Sequence, residues 1–181
     1  MKLPSSNDPA VQELLDREAI RDCLYRYSRG IDRCDETTLL SAYWPGAIDD
    51  HVFFKGPVEE FVKFAMPFLR QRDQTMHSIS NEIIRISGNT ALVECHYIAY
   101  ERIVGKDGKR NDLTASGRYI DRFEKRDGEW RIADRKITSD WFRLWDDSAD
   151  WPRGIFGTKL RFGKREQEDI SHDLFGKSCL L

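Results

Sequence analysis

The 181-residue chain has little that would commit it to a membrane, a nucleic acid or a metal. No apolar run approaches the ~20 residues that a bilayer span needs. The amino terminus, MKLPSSNDPAVQE, has no apolar core of the kind a secretory signal carries, so a cytoplasmic location is expected. Lysine and arginine (29) do not outnumber aspartate and glutamate (31), and the formal charge of −2 offers no field for phosphates. No nucleic-acid or membrane partner is therefore expected. Only four cysteines occur, Cys23, Cys34, Cys95 and Cys179, with no C-x-x-C pair. That excludes a zinc knuckle and a disulfide framework, and leaves reduced, partly buried thiols. Histidine is equally sparse: His51, His77, His96 and His172 lie too far apart for zinc-ligand spacing, so no metal is expected. A Gly-rich phosphate loop, a dinucleotide fingerprint and a G-x-S-x-G elbow are all missing, and no cofactor is expected.

What is present is a clear change of period along the chain. Asp8-Pro9 reads as a helix start, followed by Val11, Leu14, Leu15, Ile20, Leu24, Tyr27 and Ile31 at steps of three and four. This helix is expected to end near 30–32. A short helix over 37–44 follows, stopped by Pro45-Gly46, and then a strand over 47–54. A third helix carries Val58, Phe61, Val62, Ala65, Phe68 and Leu69. From residue 76 the pattern turns to strands, at 76–86, 90–104, 113–125 and 130–139, with Asp107-Gly108 and Asp127-Gly128 as hairpin turns. Helices first and long strands last indicate an α+β fold: a curved, mostly antiparallel sheet with three N-terminal helices over its concave face. Residues 1–145 form this domain, and 146–181, rich in glycine and charge, form a C-terminal extension or arm.

The chemistry-bearing residues are few. His77 enters the first long strand in QTMHSISN, and His51 lies within DDHVFF. If the 90–104 strand alternates, His96, Ile98, Tyr100 and Arg102 share a face that either lines a wet pocket or meets solvent. His172 falls in the arm. The aromatics Trp44, Phe53, Phe61, Phe68, Trp141 and Phe142 suit either a core or an apolar, ring-shaped ligand.

Three stretches carry a family resemblance: YRYSRGIDRCDETTL closing the first helix, TMHSISN entering a strand, and RYIDRFEKRDGEWRIADRKI as a terminal hairpin. Together they make the chain resemble the SnoaL-like branch of the nuclear-transport-factor-2-like superfamily, over roughly residues 10 to 140. The resemblance implies a cone-shaped α+β barrel. Its nearest parallels are the scytalone dehydratases, bile-acid 7α-dehydratases and hexachlorocyclohexane dehydrochlorinases. Those enzymes use a His–Asp dyad without metal or cofactor, which falls here on Asp32 and His77 as catalytic residues. Substrate-binding positions fall on Tyr27, His51, Arg102, Tyr119 and Arg135, with His96 and Tyr100 added from strand parity. Arg102, Gly117 and Tyr119 replace the polar pocket residues of the dehydratases, so the substrate is expected to differ.

Such a dyad supports a cofactor-independent lyase or isomerase acting on an apolar, cyclic or polyketide-like small molecule. Two other readings suit the same fold: a non-catalytic small-molecule-binding module, and a structural β subunit like that of ring-hydroxylating dioxygenases. A homo-oligomer is expected, a trimer rather than a dimer.

Overall fold

The computed structural model describes residues 8–105, 107–149 and 153–172. Cys179 and the end of the arm lie outside this set. Helix α1 (Pro9–Arg33) starts where the Asp8 carboxylate accepts the Ala10 N–H at 2.9 Å, with Pro9 in the first turn, where its missing N–H costs nothing. It stops at Cys34, in the left-handed conformation, whose N–H returns to the carbonyls of Gly30 and Ile31. Helix α2 (Glu36–Ser41) begins at once, its first turn capped by Asp35 through the Thr38 N–H at 3.0 Å. The two helices touch at Gly30, where an added Cβ would sit 2.6 Å from the Leu39 backbone. This close approach sets the direction in which Asp32, at the end of α1, leaves the helix.

The second helix is shorter than its sequence suggests. It ends at Ser41, and Trp44, Pro45 and Gly46 instead open strand β1 (Tyr43–His51). The ladder to β6 slips between Tyr43 and Ile48, so Pro45, which has no N–H to give, falls in the irregular stretch. β2 (Phe54–Pro57) folds back on β1, and helix α3 (Val58–Arg70) follows, burying Val58, Phe61, Val62 and Met66.

Strands β3 (Gln74–Ser87), β4 (Thr90–Val104), β5 (Arg110–Arg126) and β6 (Glu129–Asp146) form the antiparallel meander. The sheet order is β2-β1-β6-β5-β4-β3, and the β1–β6 pairing is parallel, which makes the sheet mixed. Strands this long curl, and irregularities place the bends. One lies at Ser80–Ile83 in β3, where Asn81 takes φ +56°. Another lies at Ser116–Gly117, where a Cβ on Gly117 would fall 1.9 Å from the Thr138 carbonyl oxygen. The result is the cone-shaped α+β fold: a curved, unclosed six-stranded sheet with three helices. Its core joins Ile20, Leu24, Leu39, Val62, Val93, Phe123 and Ile132. Cys23, Cys34 and Cys95 are free and buried, and burial pushes the Cys23 and Cys95 thiols up to about 12.

β6 runs past 139 to Asp146, still paired with β5, and leaves Phe142 and Leu144 largely exposed. Beyond it the arm folds back onto its own chain. Gly163 accepts from Gln74 at 2.8 Å, and Ser171 accepts from Arg29 at 3.1 Å.

Candidate active site

The site is built around the end of α1. Asp32 is 8% exposed, and its carboxylate meets β3 at two points. Oδ1 lies 2.7 Å from His77 Nδ1, and Oδ2 accepts the His77 backbone N–H at 2.8 Å. Thr75 adds a hydroxyl donor. Burial pushes the Asp32 carboxyl up, but these bonds outweigh it, and the group ends below the usual carboxylate range. With Nδ1 engaged by Asp32, His77 has Nε2 as its free nitrogen, and the ring lines a cavity of about 450 Å³.

That cavity lies within the usual size range for small-molecule sites and is mostly apolar. Ile31, Phe61, Phe64, Phe68 and Leu69 form the helical wall, and Tyr97, Ala99, Ala115, Tyr119 and Ile137 the sheet wall. The polar groups on its lining are Tyr27, His51, Arg72, His77, Tyr97, Glu101, Tyr119 and Ser139. Burial drives the phenols of Tyr27 and Tyr119 well above their ordinary range, which keeps them neutral hydrogen-bond donors. Arg72 and Glu101 pair with each other at 2.9 Å.

The site residues read from the sequence divide into two groups. Asp32, His77, Tyr27, His51 and Tyr119 are brought together, the last four on the lining of one cavity. His96, Tyr100 and Arg102 are not. The register pairs His77 with Ala99, so the odd-numbered face of β4 turns inward and the even-numbered face turns away. His96 is exposed there. Tyr100 and Arg102 both bind Asp112, at 2.6 and 3.0 Å, in a cluster that also takes the Ser148 and Ala149 N–H groups. This cluster anchors the start of the arm. Tyr100 also lines a second cavity of about 840 Å³, between the β3 edge and the arm, which reaches Asp32 from the other side.

Arg135 is fully buried one layer behind the cavity. It forms a bidentate pair with Asp121 at 2.8 and 2.6 Å, and its guanidinium lies 4.0 and 4.1 Å from the ring centroids of Tyr27 and Tyr119. It therefore braces two pocket tyrosines rather than lining the pocket. Trp141 and Phe142 also stand clear of the lining, while Phe53, Phe61 and Phe68 belong to it.

Residue reasoning on the sequence passed over Asp49, Thr75, Tyr97, Arg72 and Glu101. Asp49 was within reach, because it stands two residues before His51 on one strand and so shares its face. Arg72 and Glu101 come from separate elements, and nothing local joins them. Among the described residues, no group of three or more His, Cys, Asp or Glu could hold a metal ion, and no helix is long and apolar enough to cross a membrane.

Comparison with known proteins follows the same outline. The family model described as a SnoaL-like domain matches residues 12–136. A hexachlorocyclohexane dehydrochlorinase, LinA type 2, superposes with a TM-score of 0.71 at 20% identity, over 81% of this chain and 99% of that one. A protein of Novosphingobium aromaticivorans provisionally named a scytalone dehydratase gives 0.66 at 21% identity, over 76% and 92%. The LinA-type3 dehydrochlorinase of Novosphingobium barchaimii gives 0.64 at 19%, over 75% and 93%. At these identities the structural likeness establishes the fold.

Proposed function

The chain belongs to the SnoaL-like domain family, and from that footing we propose that it is a cofactor-independent lyase or isomerase of the dehydratase type. The reading is carried by one observation, the 2.7 Å contact between Asp32 and His77 Nδ1 at the wall of a mostly apolar cavity. Proton abstraction beside a carbonyl needs a base whose working range includes neutral pH, held in one tautomer and within reach of the carbon acid. An imidazole meets the first need. Asp32 meets the second, since a carboxylate on Nδ1 keeps the proton there and leaves the Nε2 lone pair toward the cavity. The same carboxylate stabilises the imidazolium that forms.

The substrate is an apolar, cyclic or polyketide-like small molecule with a carbonyl. Phe61, Phe64 and Phe68 supply its contact surface, and the neutral phenols of Tyr27 and Tyr119 supply donors for the carbonyl oxygen, where enolate charge develops. The neighbours named as dehydrochlorinase and scytalone dehydratase perform eliminations by name, which agrees with this class. A binding module or a partner subunit has no need of an oriented base.

The test is to incubate the purified protein with hydroxylated cyclic ketones and to follow the conjugated product by its ultraviolet absorbance. His77→Ala serves as the control. Turnover lost by about 10²–10⁴-fold in that variant supports the assignment. Tight binding without turnover, unchanged by the substitution, favours the binding module.

A further inference from the structure

The arm places a cation behind the Asp32–His77 pair. We propose that Arg165, carried by the arm, is a positioning residue for that pair and acts on it through the Thr75 hydroxyl. Its kinetic side rests on the proposed function above, to which it adds a part of the site from beyond residue 136, where the SnoaL-like match ends.

Thr75 and His77 stand two residues apart on β3 and turn to the same face, so both reach the end of α1. Thr75 is 2% exposed, and its side chain bonds the Asp32 carboxylate. On its other side, Arg165 Nη1 lies 3.2 Å from Thr75 Oγ1, 3.1 Å from the Asp32 carbonyl oxygen and 3.2 Å from Cys34 Sγ. One guanidinium nitrogen thus meets the end of α1, its cap and β3 together.

The donors and acceptors in this row fix its direction. A guanidinium only donates, and an ionised carboxylate only accepts. Thr75 has a single hydroxyl hydrogen. With its oxygen accepting from Arg165, that hydrogen is left for Asp32. The row therefore runs from Arg165 through Thr75 to the Asp32 carboxylate, which also receives the His77 backbone N–H and engages its ring. Hydrogen bonds in such a row polarise one another, so the cation at its head strengthens the hold on the carboxylate.

Arg165 has no competing engagement. Among the described residues, no ion pair joins it to a carboxylate, and its Nε and Nη2 have no hydrogen-bond partner. Enclosing a guanidinium without a counter-charge is costly, so neighbouring contacts must hold it there. Gly163 accepts from Gln74 at 2.8 Å, Glu166 pairs with Arg70 at 2.8 Å, and Asp169 lies 3.5 Å from Arg33. These ties reach β3, α3 and α1 and bracket Arg165 on both sides.

Four variants test the row: Arg165→Met, Arg165→Lys, Thr75→Val, and Arg165→Met combined with Thr75→Val. With a hydroxylated cyclic ketone as substrate, Arg165→Met and Thr75→Val should each lower kcat by about 10- to 100-fold, the usual effect of losing one hydrogen bond to a charged group. KM should change little. Because the two residues act in series, the double variant should be within about twofold of Thr75→Val alone. Arg165→Lys should recover most of the loss. Losses that multiply, or a lower Tm with kcat unchanged, overturn the positioning role and leave the proposed function standing.

A second readout needs no turnover. The chemical shift of His77 Nδ1 is followed by NMR in the full chain labelled at histidine. It should move in Arg165→Met and in Thr75→Val, move no further in the double variant, and return toward the wild-type position in Arg165→Lys. A shift unmoved in Arg165→Met overturns the role, whatever the kinetics. If the wild type is inert toward the ketones and the shift still moves in this way, the proposed function falls and the positioning of His77 by the arm stands. Should Thr75→Val fail to fold, Arg165→Met and Arg165→Lys decide by the same two readouts.

Discussion

Asp32 grips His77 by two handles, the ring Nδ1 at 2.7 Å and the residue's own backbone N–H at 2.8 Å, so one carboxylate positions both the strand and the imidazole that it carries. The imidazole is therefore built into the contact between α1 and the sheet.

Asp32→Asn tests the value of this grip. The amide can still accept from the backbone N–H, but it no longer holds the Nδ1 proton or balances the imidazolium. We expect turnover to drop by about 10²-fold or more with a much smaller change in KM, read by steady-state kinetics beside a thermal melt that shows the fold retained. A change in KM alone would remove Asp32 from the chemical step.

The depressed Asp32 carboxyl also has a stability signature. Its folded pKa lies below its unfolded value of about 3.9, so its contribution is complete above that value and is lost as the pH falls through the lower folded value. Urea unfolding between pH 6 and pH 3 should show the wild type losing stability more steeply than Asp32→Asn. Parallel curves would mean that the carboxyl is not depressed in solution.

Behind the cavity, Arg135 and Asp121 are both essentially excluded from solvent. Arg135→Met strands the Asp121 charge, with an expected cost of about 3–5 kcal/mol in unfolding free energy. The double variant Arg135→Met, Asp121→Leu should recover much of that loss, because no charge is left unpaired. The double variant should nonetheless lose activity, since Tyr27 and Tyr119 lose the guanidinium packed against both rings.

The arm reaches the site from behind. Arg165 Nη1 lies 3.1 Å from the Asp32 carbonyl oxygen and 3.2 Å from the Thr75 hydroxyl, which in turn bonds the Asp32 carboxylate. Asp169 secures this segment by accepting the Lys164 and Ser171 N–H groups, each at 2.9 Å. Burial pushes the Asp169 carboxyl up, but its hydrogen bonds hold it at about 2. Asp169→Asn should speed tryptic cleavage at Lys164 and Arg165 while leaving the main unfolding transition nearly in place. In the wild type, the same release should set in as the pH falls below about 4, where the unfolded carboxyl takes up its proton.

Much of this molecule is written in local pattern. The Asp8-Pro9 start, the three- and four-residue steps through Ile31, the alternation of β4 and the Asp127-Gly128 turn each act over a few residues, and the chain obeys them. Asp32 and His77 were legible as a pair only through family resemblance, and the structure brings them within 2.7 Å. Wherever two distant segments compete for one position, local pattern fails. The helix read over 37–44 ends at Ser41 because β1 must reach β6 in a parallel pairing that no turn signal announces. The polar face of His96, Tyr100 and Arg102 left pocket and solvent equally open, since alternation divides a strand into two faces without saying which is inner. The pairing of His77 with Ala99 settled that, and it turned Tyr100 and Arg102 toward Asp112 and the arm. Sequence alone thus determined most of the elements and, through the resemblance, pointed to Asp32 and His77. Only the folded chain decided which face of β4 is buried, that Arg135 stands behind its tyrosines, and that His51 has Asp49 as a partner, because burial and ion pairing depend on distances that the curvature of the sheet creates.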